Sequence, residues 1–176
     1  MTGLDIEPCL GALRRYARVL TQAGQEADDL VQGALLRAYE RRATFREGSD
    51  LRVWLMAILH NHFIDTQRAR KSALAREQAW AETTPGFVLP EGEHAARLAQ
   101  LRRAFLALPA DQREALHLMA VEGLSVAEVA AVLAIPAGTV MSRVARARAA
   151  LRDFENGPAE KPEPTRLRLV RGHDDT

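Results

Sequence analysis

Only one cysteine, Cys9, occurs in the 176 residues. No intrachain disulfide can staple the fold, and a lone cysteine suits a reducing cytoplasm. Aromatic residues make up 5% of the chain, and no clear run alternates apolar and polar residues with period two, so the usual signals of sheet are missing. No apolar window approaches the roughly 20 residues of a membrane span. The opening "MTGLDIEPCLGALRRY" lacks the long apolar stretch and small-residue cleavage site of a secretory signal. A cytoplasmic location is expected. Neither sign of charge is in excess: the net charge is +1, so any nucleic-acid surface must come from charge segregated along the chain. What is abundant is alanine, leucine, arginine and glutamate, which favour helices. The expected fold is all-α, with two small helical domains joined by a flexible linker.

Residues 8–75 form the first helical block. In "EPCLGALRRYARVLTQAG", Leu10, Leu13, Tyr16, Ala17 and Leu20 share a face, and Gly24 is the expected stop. In "EADDLVQGALLRAYERRATF", Leu30, Ala34, Leu35, Ala38 and Tyr39 share a face, with Asp28, Asp29, Gln32 and Arg37 off it. The acids are expected in the first turn, where the helix dipole favours them. "FREGSD" interrupts the pattern, and Ser49 or Asp50 can cap a third helix. Its buried stripe is Leu51, Trp54, Leu55, Ile58, Leu59 and Phe63. Residues 76–94, with two prolines, two glycines and four glutamates in and around "REQAWAETTPGFVLPEGEH", read as a linker. Residues 95–155 form a second helical block. Residues 156–176, with mixed charge and three prolines, read as a disordered tail.

The sharpest local signal is "LSVAEVAAVLAIPAGTVMSRVARARAALR", Leu124 to Arg152. Ser125 with Glu128 three residues on is a capping box. Pro136 is tolerated at a helix start and not inside one, so "AIP" is a turn between two helices, the helix-turn-helix plan. Ala130 is small where the helices cross, and Ile135, Val140 and Val144 supply the apolar plug. Ala134 stands where many such motifs have glycine. No acid occurs between Val129 and Arg152, which leaves Arg143, Arg146 and Arg148 uncancelled along the segment. The second helix is then a recognition helix that enters a major groove and meets phosphates. A solvated face of a generic bundle would also explain an arginine-alanine helix.

The whole chain narrows this further. "ADDLVQGALLRAYERRATFREGSDLRVWLMAILHNHFIDTQRARK" resembles region two of bacterial RNA polymerase sigma factors, and "LRRAFLALPADQREALHLMAVEGLSVAEVAAVLAIPAGTVMSRVARARAAL" resembles their region four. Two regions in that order, with a short linker, resemble the extracytoplasmic-function group, over residues 8–153. The resemblance implies a factor that binds core RNA polymerase and directs it to promoters, under stress and under control of an anti-sigma factor. It implies polymerase contacts at Asp28, Asp29, Leu30, Gln32 and Arg37. Gly33 stands where the family usually has an acid, and glycine there softens the helix by propensity. The loop Phe45–Leu51, with Phe45, Arg46, Gly48, Ser49 and Asp50, matches the segment that receives a flipped base of the −10 element. Asn61, Asp65, Arg68, Arg70 and Lys71 match the helix that follows, with Arg76 extending its basic cluster; Trp54 there is expected to pack the core. Ala137, Gly138, Thr139, Ser142, Arg143 and Arg146 match positions that face the −35 element.

No enzyme is expected. His60 and His62 point to different helix faces, His94, His117 and His173 are scattered, and Glu26, Asp28 and Asp29 diverge around their helix. No metal or cofactor is implied, since no nucleophile–base pair and no ligand set is present. The competing reading is a homodimeric helix-turn-helix regulator, which requires a dimerisation helix; no heptad run is evident. Cys9 on a helical stretch reads as a small apolar residue.

Overall fold

The structure, a computed structural model, describes residues 4–74 and 93–155. Most of the expected linker, Arg76 included, and the whole C-terminal tail lie outside the described residues. Three helices make the first unit: α1 (Leu10–Thr21), α2 (Gly24–Glu40) and α3 (Leu51–Leu74). Four make the second: α4 (Glu93–Ala107), α5 (Ala110–Ala120), α6 (Val126–Leu133) and α7 (Ala137–Glu155). Helix α4 begins at Glu93, one residue before the expected end of the linker. No strand occurs among the described residues, and none of the helices there is by itself long and apolar enough to cross a membrane.

The stripe expected on α1 is buried: Leu13, Tyr16, Ala17 and Leu20 are in the core, as is Cys9 just before the helix. The stop is not Gly24. Helix α1 ends at Thr21, and Gln22 takes the left-handed cap conformation at φ 58°. The Thr21 hydroxyl helps to hold this turn, 3.0 Å from the Ala17 carbonyl and 2.9 Å from that of Ala23. Gly24 instead opens α2, after an extended Ala23. This early start puts Glu26 alone in the first turn and moves Asp28 and Asp29 into the second, where the dipole acts less on them. Tyr39 is also not on the inner face. It is 66% exposed, and the Arg42 guanidinium lies 4.4 Å from its ring centre.

Asp50, rather than Ser49, caps α3: its Oδ1 accepts from the backbone N–H of Arg52 at 2.8 Å and of Val53 at 3.2 Å. Leu55, Ile58 and Leu59 are buried as expected, but so are Met56 and His60. The reason is that α3 has two sets of neighbours, α1 and α2 of its own unit and α6 of the other. Helix α5 is enclosed in the same way by α1, α6 and α7, and its residues 113–118 are buried without a break. The buried side chains of both units therefore form one continuous cluster.

The helix-turn-helix is as the sequence lays it out. Ser125 Oγ accepts from the Glu128 N–H, and Glu128 Oε2 accepts from the Ser125 N–H at 2.7 Å, closing the capping box. Ala134 takes the left-handed conformation, φ 52°, that the turn requires. Val140 and Val144 are fully or nearly fully buried, and Ile135 packs against them at the edge of the core.

Candidate nucleic-acid and polymerase interfaces

On α2, Asp28, Asp29 and Gln32 are exposed, while Leu30 is buried and supports the helix from inside. Arg37 is half-buried and donates from Nη1 to Asp65 Oδ2 at 2.7 Å. That hydrogen bond holds the Asp65 carboxyl below its ordinary range. A residue matched to polymerase binding and one matched to the −10 element are thus tied together across α2 and α3.

In the connecting loop, Arg46 to Asp50 are exposed, and Gly48 sits at φ 85°, where a side chain would be strained. Phe45 is half-buried, with its ring 5.3 Å from that of Trp54 in an edge-on arrangement. Trp54 packs against the core, as its place on the stripe predicts. Asn61, Arg68, Arg70 and Lys71 are exposed along the outer part of α3. Arg70 lies 3.4 Å from Glu26 of α2.

On α7, Ala137, Gly138 and Arg146 are exposed, and Thr139 and Ser142 are half-buried. Nothing stands within 4 Å of a Cβ built on Gly138, so the protein's own packing does not demand glycine there. Ser142 Oγ donates to the Thr139 carbonyl at 3.0 Å. Arg143 is not uncancelled. Its Nε lies 3.3 Å from Asp111 Oδ2, an acid that α5 brings in from outside the segment. The sequence run shows no acid, but the fold supplies one.

Gly33 has a local cause. A Cβ there would fall on the imidazole of His62, so α2 and α3 approach where glycine faces histidine. A larger residue at position 33 must displace that ring. Gly33→Ala is therefore expected to stabilise a His62→Ala background by about 1 kcal/mol, the gain in helix propensity. In the parent background it gains less, because the ring must move. The difference is a coupling energy measurable by urea unfolding of the four-member cycle.

The sequence did not reveal a buried polar cluster between the units. Tyr16, fully buried on α1, has its hydroxyl 3.0 Å from His60 Nδ1 on α3. Its ring stacks with His117 on α5, centres 5.9 Å apart. His60 lies 3.8 Å from Glu114 on α5. Burial pushes Glu114 up to about 7 and His60 down to about 4, so between those values neither is charged and the contact is not an ion pair. The Glu122 carboxylate accepts two hydrogen bonds from Arg15 of α1, at 2.9 and 2.8 Å. Arg52 of α3 donates to the Glu122 carbonyl at 2.9 Å. Arg113 of α5 donates to the Leu106 and Leu108 carbonyls at the end of α4 and, at 3.3 Å, to that of Val19 in α1. The available signal was the near-unbroken apolarity of "LRVWLMAIL", which suits a helix covered on more than one side.

Comparison with known proteins agrees with this geometry. Residues 6–60 match the family described as the Sigma2 domain of PhyR, and residues 98–151 match Sigma-70, region 4. The chain is 37% identical over 148 residues to the ECF RNA polymerase sigma factor EcfG of Rhodopseudomonas palustris, covering 84% of this chain and 81% of the relative. It is 34% identical over 142 residues to the ECF RNA polymerase sigma factor SigM of Mycobacterium tuberculosis, covering 79% and 69%. Among solved structures, the sigma factor RpoE of Bartonella quintana, crystallised with the anti-sigma factor NepR, superposes with a TM-score of 0.75 at 32% identity, covering 88% of this chain and 96% of that one. CnrH, in complex with the cytosolic domain of CnrY, gives a TM-score of 0.60 at 27% identity, covering 86% and 84%. The paired regions, their order and their packing have one common explanation: the chain belongs to the extracytoplasmic-function family of RNA polymerase sigma factors.

Proposed function

We propose that this chain directs core RNA polymerase to a particular set of promoters from the cytoplasm, that it catalyses no reaction itself, and that an anti-sigma factor restrains it. The observation that carries the reading is the pairing of two units: a three-helix unit with an exposed acidic face and an exposed basic helix end, and a helix-turn-helix with an exposed arginine face. Residues 8–75 act as region two and 95–155 as region four. Asp28, Asp29, Gln32 and Arg37 meet the polymerase, with Leu30 supporting the helix that presents them. The loop Phe45–Asp50 takes an extruded base of the −10 element, where glycine and short polar side chains allow close approach. Asn61, Asp65, Arg68, Arg70 and Lys71 follow the melted strand and its phosphates. Ala137, Gly138, Thr139, Ser142, Arg143 and Arg146 read the −35 duplex, with Gly138 leaving room for backbone approach. The anti-sigma partner is inferred from the RpoE relative, which was crystallised with one.

The test is run-off transcription with purified core polymerase on a pool of promoter fragments from the source genome. New, discrete start sites are expected with the protein and not without it. Arg146→Ala should weaken use of all those promoters and lower the salt dependence of binding by about one phosphate contact. Asn61→Ala should leave promoter binding near normal while slowing strand opening, read by permanganate reactivity at the −10 element. Absence of new start sites together with tight duplex binding by the protein alone would overturn the reading.

A further inference from the structure

We infer that Met141 is a specificity-determining residue that reads the 5-methyl group of one thymine in the −35 duplex. The inference deepens the promoter reading given above and rests on it. Over the first three turns of α7, at about 100° per residue, Ala137, Met141, Ala145 and Gly138 fall within an arc of roughly 100°. All four are exposed. Val140, Val144 and Ala147 form a separate, buried side of the same turns. Alanine and glycine carry nothing beyond a Cβ, so Met141 supplies the one long side chain of this strip. It is 53% exposed. Nothing of the protein stands within 4 Å of a Cβ built on Gly138, so the strip is open on that side.

A single exposed apolar side chain is common on any surface; the place of this one gives it a task. The strip lies at the start of the recognition helix, where small residues let the backbone come close to base edges. Methionine offers only a weak acceptor sulfur, so it has little to give the donors and acceptors that line a major groove. The apolar feature on a base edge there is the thymine methyl. An unbranched thioether adapts its shape to such a group. The polar readers flank the strip rather than share it. Arg146 Nη2 lies 3.4 Å from Ser142 Oγ, and Arg143 is drawn toward Asp111 at 3.3 Å. Two chemistries therefore sit side by side on α7: hydrogen bonding from Ser142 and Arg146, and methyl contact from Met141.

The experiment removes the methyl from the DNA and the side chain from the protein. It uses the full chain with core polymerase and a promoter found by run-off transcription. Each thymine of the −35 element, on either strand, is replaced singly by deoxyuridine, which lacks only the 5-methyl group. Thymine and deoxyuridine templates, told apart by transcript length, compete in one reaction. The parent should favour thymine at one position by about 3- to 4-fold, the worth of one buried methyl-sized group, and be indifferent at the others. Met141→Ala should use the thymine template less by a similar factor and no longer distinguish it from deoxyuridine. Met141→Leu should keep the preference, and Met141→Gln, of similar length but polar, should lose it. Urea unfolding checks that all three variants keep the parent's stability. Indifference of the parent at every position, a preference that survives in Met141→Ala, or a −35 element without an A·T pair would overturn the inference and leave the promoter reading standing. No start site from any template would overturn both.

Discussion

Arg113→Ala is expected to lower the unfolding free energy by about 3–4 kcal/mol, because it strands several buried acceptors together and each stranded group costs about 1–3 kcal/mol. Arg113 is 4% exposed, and its guanidinium serves two helix ends at once. From Nη1 it donates to the Leu106 and Leu108 carbonyls, where α4 finishes. From Nε it donates to the Val19 carbonyl near the end of α1. With the Gln22 amide turned so that its oxygen faces the guanidinium, that group adds a contact at 2.7 Å. Terminal carbonyls have no partner within their own helix, and a cation there also meets the negative end of the helix dipole. Some of the loss is offset because burial already disfavours the charge, which lowers the proton affinity of Arg113. Arg113→Lys should recover less than half of it, because an ammonium on a single stem cannot reach both ends as a planar fork does. Urea unfolding followed by circular dichroism measures both values.

A second large effect is partly masked in the parent protein and separates in variants. Glu114 is raised from 4.5 to about 7, chiefly by burial, against the partial relief of Arg113 and Arg143 and with Asp111 adding to the rise. A carboxyl raised in the folded state stabilises fully below its unfolded value, and that contribution is lost as pH rises through about 7. His60, lowered from 6.5 to about 4 by burial and by Arg143, works in the opposite sense: its contribution is lost as pH falls below 6.5 toward about 4. A tenfold difference in proton affinity between the folded and unfolded states is worth about 1.36 kcal/mol. From about pH 5.5 to about pH 8, the first effect therefore removes about 2 kcal/mol and the second restores about 1.4 kcal/mol. His62 and His117, also lowered by burial, act in the same sense as His60, so each variant is compared with the parent. Relative to the parent, Glu114→Gln should gain stability as pH rises, and His60→Gln should lose it. Melting temperatures of the three proteins at both ends of the range decide the matter, and an equal pH dependence in all three would refute it.

Local signals carried most of the fold and none of the contact between its halves. The capping box at Ser125 and the break at Pro136 depend on neighbours within four residues, and both are found where the sequence puts them. The end of α1 is different, because the choice between Gln22 and Gly24 depends on Thr21 bonding around the turn rather than on which residue best tolerates a left-handed backbone. Arg143 looks uncancelled along α7 because Asp111, which faces it, lies outside any window on that helix. Gly33 looks like a soft spot in α2 by propensity, whereas its cause, His62, sits on another helix. The same limit hides Tyr16, which belongs to an apolar stripe and whose hydroxyl finds a partner only when α3 and α5 close over it.

The shared duty of α3 bears on how freely parts of such chains can be exchanged. Its sequence answers to α1 and α2 on one flank and to α6 on the other, so the boundary between the two matched regions is not a seam in the packed core. A chimera that keeps residues 4–74 and takes its helix-turn-helix unit from a relative would carry Arg15 and Arg52 into a partner chosen for different company. The hybrid would inherit a mismatched joint. Drift on α3 is answerable to two lineages of neighbours, and modular reuse of either half begins with redesign of that one helix.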